Sequence, residues 1–368
     1  MTVRCGIIGC GVISDMHAKA LSHHVDAEIM ACADLVQKAA QQTAVRFSIP
    51  QIYTNPRELL HNGDLDAVVI CVPPKWHAEY FLEALAEGKH VLIEKPLAMN
   101  LAEADRMVDA TMAGNRIVGV ALIHRYLPAY RILRDMIRGG AIGRIMHSRI
   151  SLGCDMYNDT RFRAPDEDPR SWLVDRDVAG GGILMSSSVH FLSAISYVLD
   201  NVHIKSVDAK IRRLHGEAFP DIEDDIDLRM ELASESEFVL HDSWVANQPF
   251  QVDFTGDHGR LTASGPNWSC LKVSGICLGT VPDSYAKNMN GTEFRDGKSH
   301  RSDISQSCFD CLIADFIQSI NQGVPAVDMP NIIHARNMQA VIDAAYRSGV
   351  KGGAEAIHWQ FEAAREAQ

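Results

Sequence analysis

The chain has 368 residues, too many for one core of ordinary size, so two domains are expected. Apolar residues make up 46% and charged residues 22%, ordinary globular values that speak against extensive disorder. A formal net charge of −12 argues against a general affinity for nucleic-acid backbones or anionic membranes.

Short apolar runs alternate with longer amphipathic ones through the first third of the chain. Strands are expected at Arg4–Ile8, Ala27–Ala33, Ala67–Val72, His90–Ile93 and Arg116–Ala121, with a shorter one at Ile52–Tyr53. Helices are expected at Val12–His23, Val36–Phe47, Trp76–Glu87 and Leu101–Ala113. This alternation means βαβ units, hence an α/β fold with a doubly wound parallel sheet. The strands are apolar at nearly every position, as expected when both faces are covered. The pattern changes near Ala121, so residues 1–122 are assigned to a Rossmann-type dinucleotide domain and 123–368 to a second one. There a helix follows Pro128, and Arg144–Leu152 alternates with period two. A glycine turn, Gly180-Gly181-Gly182, opens an apolar helix over Ile183–Leu199. Strands follow at Ile204–Leu214, Asp225–Leu232, Glu237–Trp244 and Gln251–Thr255, and helices near Cys308–Asn321 and Asn331–Arg347. The second domain is therefore expected to be α+β, with one broad, largely antiparallel sheet. Apolar residues at both parities of Asp225–Leu232 and Glu237–Trp244 suggest that neither sheet face is plainly polar. A homodimer or homotetramer through that sheet is expected on this ground.

No apolar run is expected to span a bilayer, and no leader pattern precedes the first strand. The nine cysteines are an odd number at scattered spacings, which suits a reducing cytoplasm better than a disulfide framework. Cys308 and Cys311 form a lone C-x-x-C on one helix face and read as packed thiols; no metal site is expected.

The run Gly9-Cys10-Gly11-Val12-Ile13-Ser14 places G-x-G-x-x-S between the first strand and the first helix. Gly9 permits a tight turn, and Gly11 lets a pyrophosphate approach the backbone. The helix start, with Val12 and Ile13, offers free N–H groups and a positive dipole end. Asp34 closes the second strand, 20 residues after Ser14, where a carboxylate can accept from ribose hydroxyls. The same charge would repel a 2′-phosphate, and Leu35 supplies no cation, so NAD is favoured over NADP.

Further motifs come in order: Val72-Pro73-Pro74 with His77; Glu94-Lys95-Pro96; His124-Arg125-Tyr126 before Pro128; Trp172; the triple glycine; His190; and Thr255-Gly256-Asp257-His258-Gly259. Together they resemble the glucose–fructose oxidoreductase / inositol dehydrogenase (Gfo/Idh/MocA) family over nearly the whole chain. The resemblance implies an NAD-dependent oxidoreductase acting on a secondary alcohol of a sugar, cyclic polyol or related polyhydroxylated compound. It implies cofactor contacts from Val72, Pro73, His77, Glu94 and Lys95, and a proton-transfer role for His190. Lys95 also stands out without the family, because it ends a parallel strand, where open α/β sheets bind their ligands. An ammonium there can polarise a reacting oxygen, and a desolvated lysine can serve as a base instead. Lys95 and His190 are expected to meet one reacting hydroxyl, with Ser186, Arg125, Tyr126, Trp172 and Arg163 as candidates for substrate contact. Arg161, Asp175 and Asp177 are weaker candidates. The family commonly carries an aspartate where this chain has Ser186, and serine cannot stabilise an imidazolium as a carboxylate does. A nucleotide-binding regulatory protein without turnover is therefore the alternative, and a reductase of imine-like substrates a third reading.

Overall fold

The computed structural model describes residues 1–155, 171–216, 221–267, 271–280, 282–286, 289–290, 293–295 and 304–359. It divides into two units. The first holds Met1–Ile123, Asp177–Gly180 and Gln306–Gln339; the second holds His124–Arg176, Gly181–Ser305 and Ala340–Gln368.

In the first unit the chain alternates β1 (Val3–Ile8), α1 (Val12–His23), β2 (Ala27–Ala33), α2 (Gln37–Phe47), β3 (Gln51–Tyr53) and α3 (Pro56–Leu60). It continues through β4 (Ala67–Ile70), α4 (His77–Ala86), β5 (His90–Ile93), α5 (Leu101–Met112) and β6 (Val118–Val120). The six strands lie in the order β3-β2-β1-β4-β5-β6, and every pairing is parallel. β1, β4 and β5 are buried almost throughout, which is why their sequences carry no polar alternation. The strand order reverses between β1 and β4, the switch point at which such sheets open a crevice beyond their carboxyl ends.

The second unit begins with α6 (Pro128–Arg138) and β7 (Ile145–Gly153). After α7 (Arg176–Ala179) the glycine turn leads into a π-helical turn, Leu184–Ser188, continuous with α8 (Val189–Val198). Then come β8 (Ile204–Arg212), β9 (Asp225–Leu232), β10 (Glu237–Ser243), β11 (Gln248–Gly256), β12 (Gly259–Gly265) and β13 (Lys272–Cys277). Short elements α9 (Asp283–Ala286), β14 (Met289–Asn290) and β15 (Glu293–Arg295) come next; of the remaining α10 (Ile304–Gln322), α11 (Ile332–Lys351) and β16 (Glu355–Ala356), nearly all of α10 and the first part of α11 belong to the first unit. Ten strands form one sheet, β14-β15-β13-β12-β11-β7-β10-β9-β8-β16, antiparallel except for the β7–β10 pair.

Several expectations change. Residues 306–339, expected in the second domain, belong to the first unit. The Val120 N–H donates to the Pro330 carbonyl, and the Arg336 guanidinium, 1% exposed, donates to Asp105 at 2.7 Å. Arg176–Val198 is long and apolar enough to cross a membrane by composition; 72% of its most apolar window is buried inside the protein, as a core helix should be. The sheet of the second unit is also less symmetric than its sequence suggested. Along β9, Ile226, Leu228, Met230 and Leu232 are buried, whereas Asp227, Arg229 and Glu231 point to the other face. That outward face is polar: His147, Arg149 and Ser151 of β7, Asp253 and Thr255 of β11 and Arg260 of β12 line a shallow groove on it. β12 and β13 went unread because serine, threonine and glycine dilute their apolar alternation.

Candidate functional site

At the carboxyl edge of the first sheet, Gly9 has φ +90°, and a Cβ there would lie 2.7 Å from the Cys71 carbonyl oxygen. Only glycine fits both conditions. A Cβ on Gly11 would meet nothing within 4 Å, so the turn has open space above it. α1 starts directly after Gly11; Val12 is exposed and Ile13 at the margin of exposure. Asp34 braces the turn: one carboxylate oxygen accepts from the Cys10 N–H at 2.8 Å, the other from the Val36 N–H at 2.7 Å. A tight turn, an open approach, a helix N-terminus and a carboxylate beyond the second strand fit a dinucleotide carrying a free ribose diol.

The next two strand ends are tied together by buried polar groups. His77 is fully buried; its Nδ1 faces the Pro96 carbonyl and its Nε2 the Val72 carbonyl, each at 2.8 Å. Its ring therefore ties together the segments after β4 and β5. Burial pushes its pKa down, against the pull of both carbonyls. Val72 and Pro73 are half-buried on the same rim. Glu94 is buried too: one oxygen pairs with His17 Nε2 at 2.8 Å and the other accepts from the Lys95 N–H at 3.1 Å. His17 packs edge-on against Phe309, with ring centroids 4.8 Å apart. Lys95 itself is half-buried, next to a cis bond to Pro96. Desolvation lowers the pKa of its ammonium, with Glu94 acting in the opposite sense.

In the second unit the triple glycine is explained by what approaches it. A Cβ on Gly182 would lie 2.0 Å from the Glu223 carbonyl oxygen. The buried Glu223 carboxylate accepts from the Gly182 and Leu184 N–H groups, at 2.9 and 3.1 Å, and from the Tyr346 hydroxyl at 2.8 Å. That carboxylate satisfies N–H groups at the start of the helix, which have no partner within it. Burial and this acid push the Tyr346 hydroxyl well above its usual range.

Past the turn, Ser186, Ser187 and His190 are half-buried, while Met185, Ser188 and Val189 are buried. Ser186 and His190 are thus both more open than Met185, Ser188 and Val189. The His190 ring stacks on buried His124, with centroids 4.4 Å apart and planes 17° from parallel. From β10, Asp242 accepts hydrogen bonds from Ser187 at 2.5 Å and Ser188 at 2.7 Å. Burial raises its carboxyl to about 6, with both hydroxyls pulling the other way.

Arg125 and Tyr126, expected to touch substrate, are buried. Arg125 lies over the Tyr197 ring at 5.3 Å, and Tyr126 lies under the Arg131 guanidinium at 5.4 Å. The motif is therefore more buried than its polar character suggests. Trp172 is half-buried, and Asp175 and Asp177 are exposed. Arg161 and Arg163 lie outside the described residues. Sequence reasoning missed His17, Glu223 and Asp242. The signal for Asp242 was present: period two aligns it with the inward Phe238 and Leu240, where an apolar residue is the default. Among the described residues no three histidine, cysteine or acidic side chains gather as a metal site.

Residues 3–122 match the model of an oxidoreductase family with an NAD-binding Rossmann fold, and residues 130–262 match the GFO/IDH/MocA C-terminal domain. An inositol 2-dehydrogenase from Acidothermus cellulolyticus is 26% identical over 324 residues, covering 88% of this chain and 86% of that protein. A D-glucoside 3-dehydrogenase from Escherichia coli is 30% identical over 210 residues, 56% of this chain and 57% of that protein. The fold is also that of a levoglucosan dehydrogenase solved with NADH and levoglucosan, with TM-score 0.82 and 21% identity, covering 98% of this chain and all of that one.

The buried Asp242 makes stability depend on pH in a definite sense. Its folded-state pKa of about 6 lies above the ordinary 3.8, so between those values the folded chain binds more protons than the unfolded one. Its contribution to stability is therefore greatest below the ordinary carboxyl range and falls as pH rises to about 6. Denaturant unfolding of wild type and Asp242→Asn should diverge by about 2 kcal/mol between pH 4 and 6.5, wild type losing stability relative to the variant. Parallel stability curves would contradict the burial of this charge.

Proposed function

Because this chain belongs to the Gfo/Idh/MocA oxidoreductase family, we propose that it transfers a hydride between NAD(H) and a secondary alcohol or ketone of a sugar, cyclic polyol or related polyhydroxylated compound. The observation that carries this reading is Lys95, with its desolvated ammonium, at the carboxyl edge of a sheet whose first turn suits a dinucleotide. The substrate class follows the relatives, which are named for inositol and a D-glucoside. Gly9, Gly11, Val12 and Ile13 receive the pyrophosphate and Asp34 the ribose; Val72, Pro73 and the Glu94–Lys95 segment form the rest of the rim. NAD⁺, when bound, supplies the hydride acceptor. The chain supplies the proton chemistry: His190 takes the hydroxyl proton, and Lys95 donates a hydrogen bond to the oxygen as it becomes a carbonyl. Ser186, half-buried like His190, and Trp172 are assigned to hold the substrate. The regulatory alternative rests on Ser186 standing where a carboxylate would stabilise the imidazolium.

We further assign the cytoplasm as location and a homodimer or homotetramer as the working state. The reduced, mostly buried thiols suit the first; the second rests on the breadth of the ten-stranded sheet, although its outward face is polar. A single monomeric species in sedimentation at micromolar concentration would contradict self-association.

Lys95→Met and His190→Asn should each lower kcat by roughly 100-fold with NADH affinity within about threefold. Oxidation should accelerate as pH rises and the base loses its proton. His190→Asn should remove that rising limb and Lys95→Met should retain it; the reverse pattern would exchange the two roles. Asp34→Ala should weaken NAD binding far more than NADP binding, and equal losses would disprove ribose recognition by that carboxylate.

A further inference from the structure

From Ile183 to Leu199 the helix that carries His190 contains no acidic residue. A carboxylate reaches it from the sheet instead. Asp242 on β10 is 1% exposed, and one of its oxygens accepts from both Ser187 and Ser188. These serines end the π-helical turn, and His190 follows Ser188 by two positions. The placement is costly. The inward row of β10 is otherwise Phe238 and Leu240, and a buried carboxylate requires donors to offset its lost hydration. A π turn adds a residue to the helical repeat and so rotates everything after it about the helix axis. Holding that turn in place therefore sets the direction in which His190 projects.

We propose that Asp242 is a positioning residue for His190: through Ser187 and Ser188 it clamps the π turn, and its charge favours the imidazolium that forms when His190 takes a substrate proton. The inference rests on the assignment of His190 as the base. The neighbouring charges agree with it. His241, next to Asp242 on β10, points to the opposite sheet face and pairs with Asp227 of β9 at 2.9 Å. From the helix, Ser187 and Ser188 face the carboxylate, and His190 itself stacks on His124. Above the raised Asp242 pKa of about 6 the carboxylate is ionised, so the charge is present at neutral pH.

The test is a titration of the His190 imidazole by NMR in the full, cofactor-free chain, with His190→Asn to assign its signals. In Asp242→Asn the His190 pKa should fall by roughly half to one unit, because a nearby negative charge is gone. The Ser187→Ala/Ser188→Ala double variant should shift it in the same direction. Without its two donors the carboxyl holds its proton more tightly and carries less charge at neutral pH. If Asp242→Asn does not fold, the double variant decides alone. With myo-inositol or another accepted polyol as probe, both variants should lose at least about tenfold in kcat with KM within about twofold. A His190 pKa unmoved within about 0.2 unit in the folded variants would overturn the proposal. Failure to turn over any polyol would defeat the functional reading while leaving the titration result standing.

Discussion

Six parallel strands oblige the first unit to gather all its carboxyl ends along one edge, and most of the functional chemistry depends on that constraint. The glycine turn follows β1, Asp34 follows β2, Val72 and Pro73 follow β4, and Lys95 follows β5. Residues far apart in sequence become neighbours on a rim because each ends a strand of the same direction. The rim is then stiffened from below. His77 joins the Val72 and Pro96 carbonyls, and Glu94 joins His17 to the Lys95 backbone. Buried histidines and acids with satisfied partners hold backbone in place more specifically than apolar packing does. The lysine that would meet substrate is thus carried by backbone fixed on both sides of its strand end.

The second unit positions His190 by a different device. A carboxylate at each end of one helical turn satisfies groups that the helix leaves exposed to an apolar interior. Glu223 caps the start, where glycine allows its backbone to approach, and Asp242 secures the serines at the π turn. Both acids come from the β9–β10 region of the sheet, so the helix is oriented by the sheet it covers.

The first unit was legible because its strands have uniform apolar faces and its phosphate turn has a steric reason for glycine. β2, α1 and β5 match their expected limits. The second unit was legible in outline only. The sequence of β9 alternates cleanly, yet its outward acids and arginine were weighed together with Val239 of β10, which blurred a polar face into an ambiguous one. The tail was misassigned because periodicity reports that a segment is helical and says nothing of which core receives it. Contacts such as Arg336–Asp105, Val120–Pro330 and His17–Phe309 decide that. Arg125 and Tyr126 lie deeper than their motif suggests. A charged motif after a strand reads as a surface site, whereas here an aromatic ring and a second guanidinium accommodate both side chains inside. Glu223 and Asp242 were invisible as partners because the residues they bind lie dozens of positions away.

Hydride transfer from a carbinol carbon to NAD⁺ leaves an isotopic trace on the cofactor. The most direct measurement is label transfer. The enzyme is incubated with NAD⁺ and a panel of cyclic polyols and sugars deuterated at their carbinol carbons, and the NADH is analysed by mass spectrometry. At least one polyol should deliver one deuterium to the nicotinamide, and Lys95→Met should slow the transfer without abolishing NADH binding. A chain that binds NADH yet yields no labelled NADH from any member of the panel would contradict hydride transfer and favour a nucleotide-binding regulator.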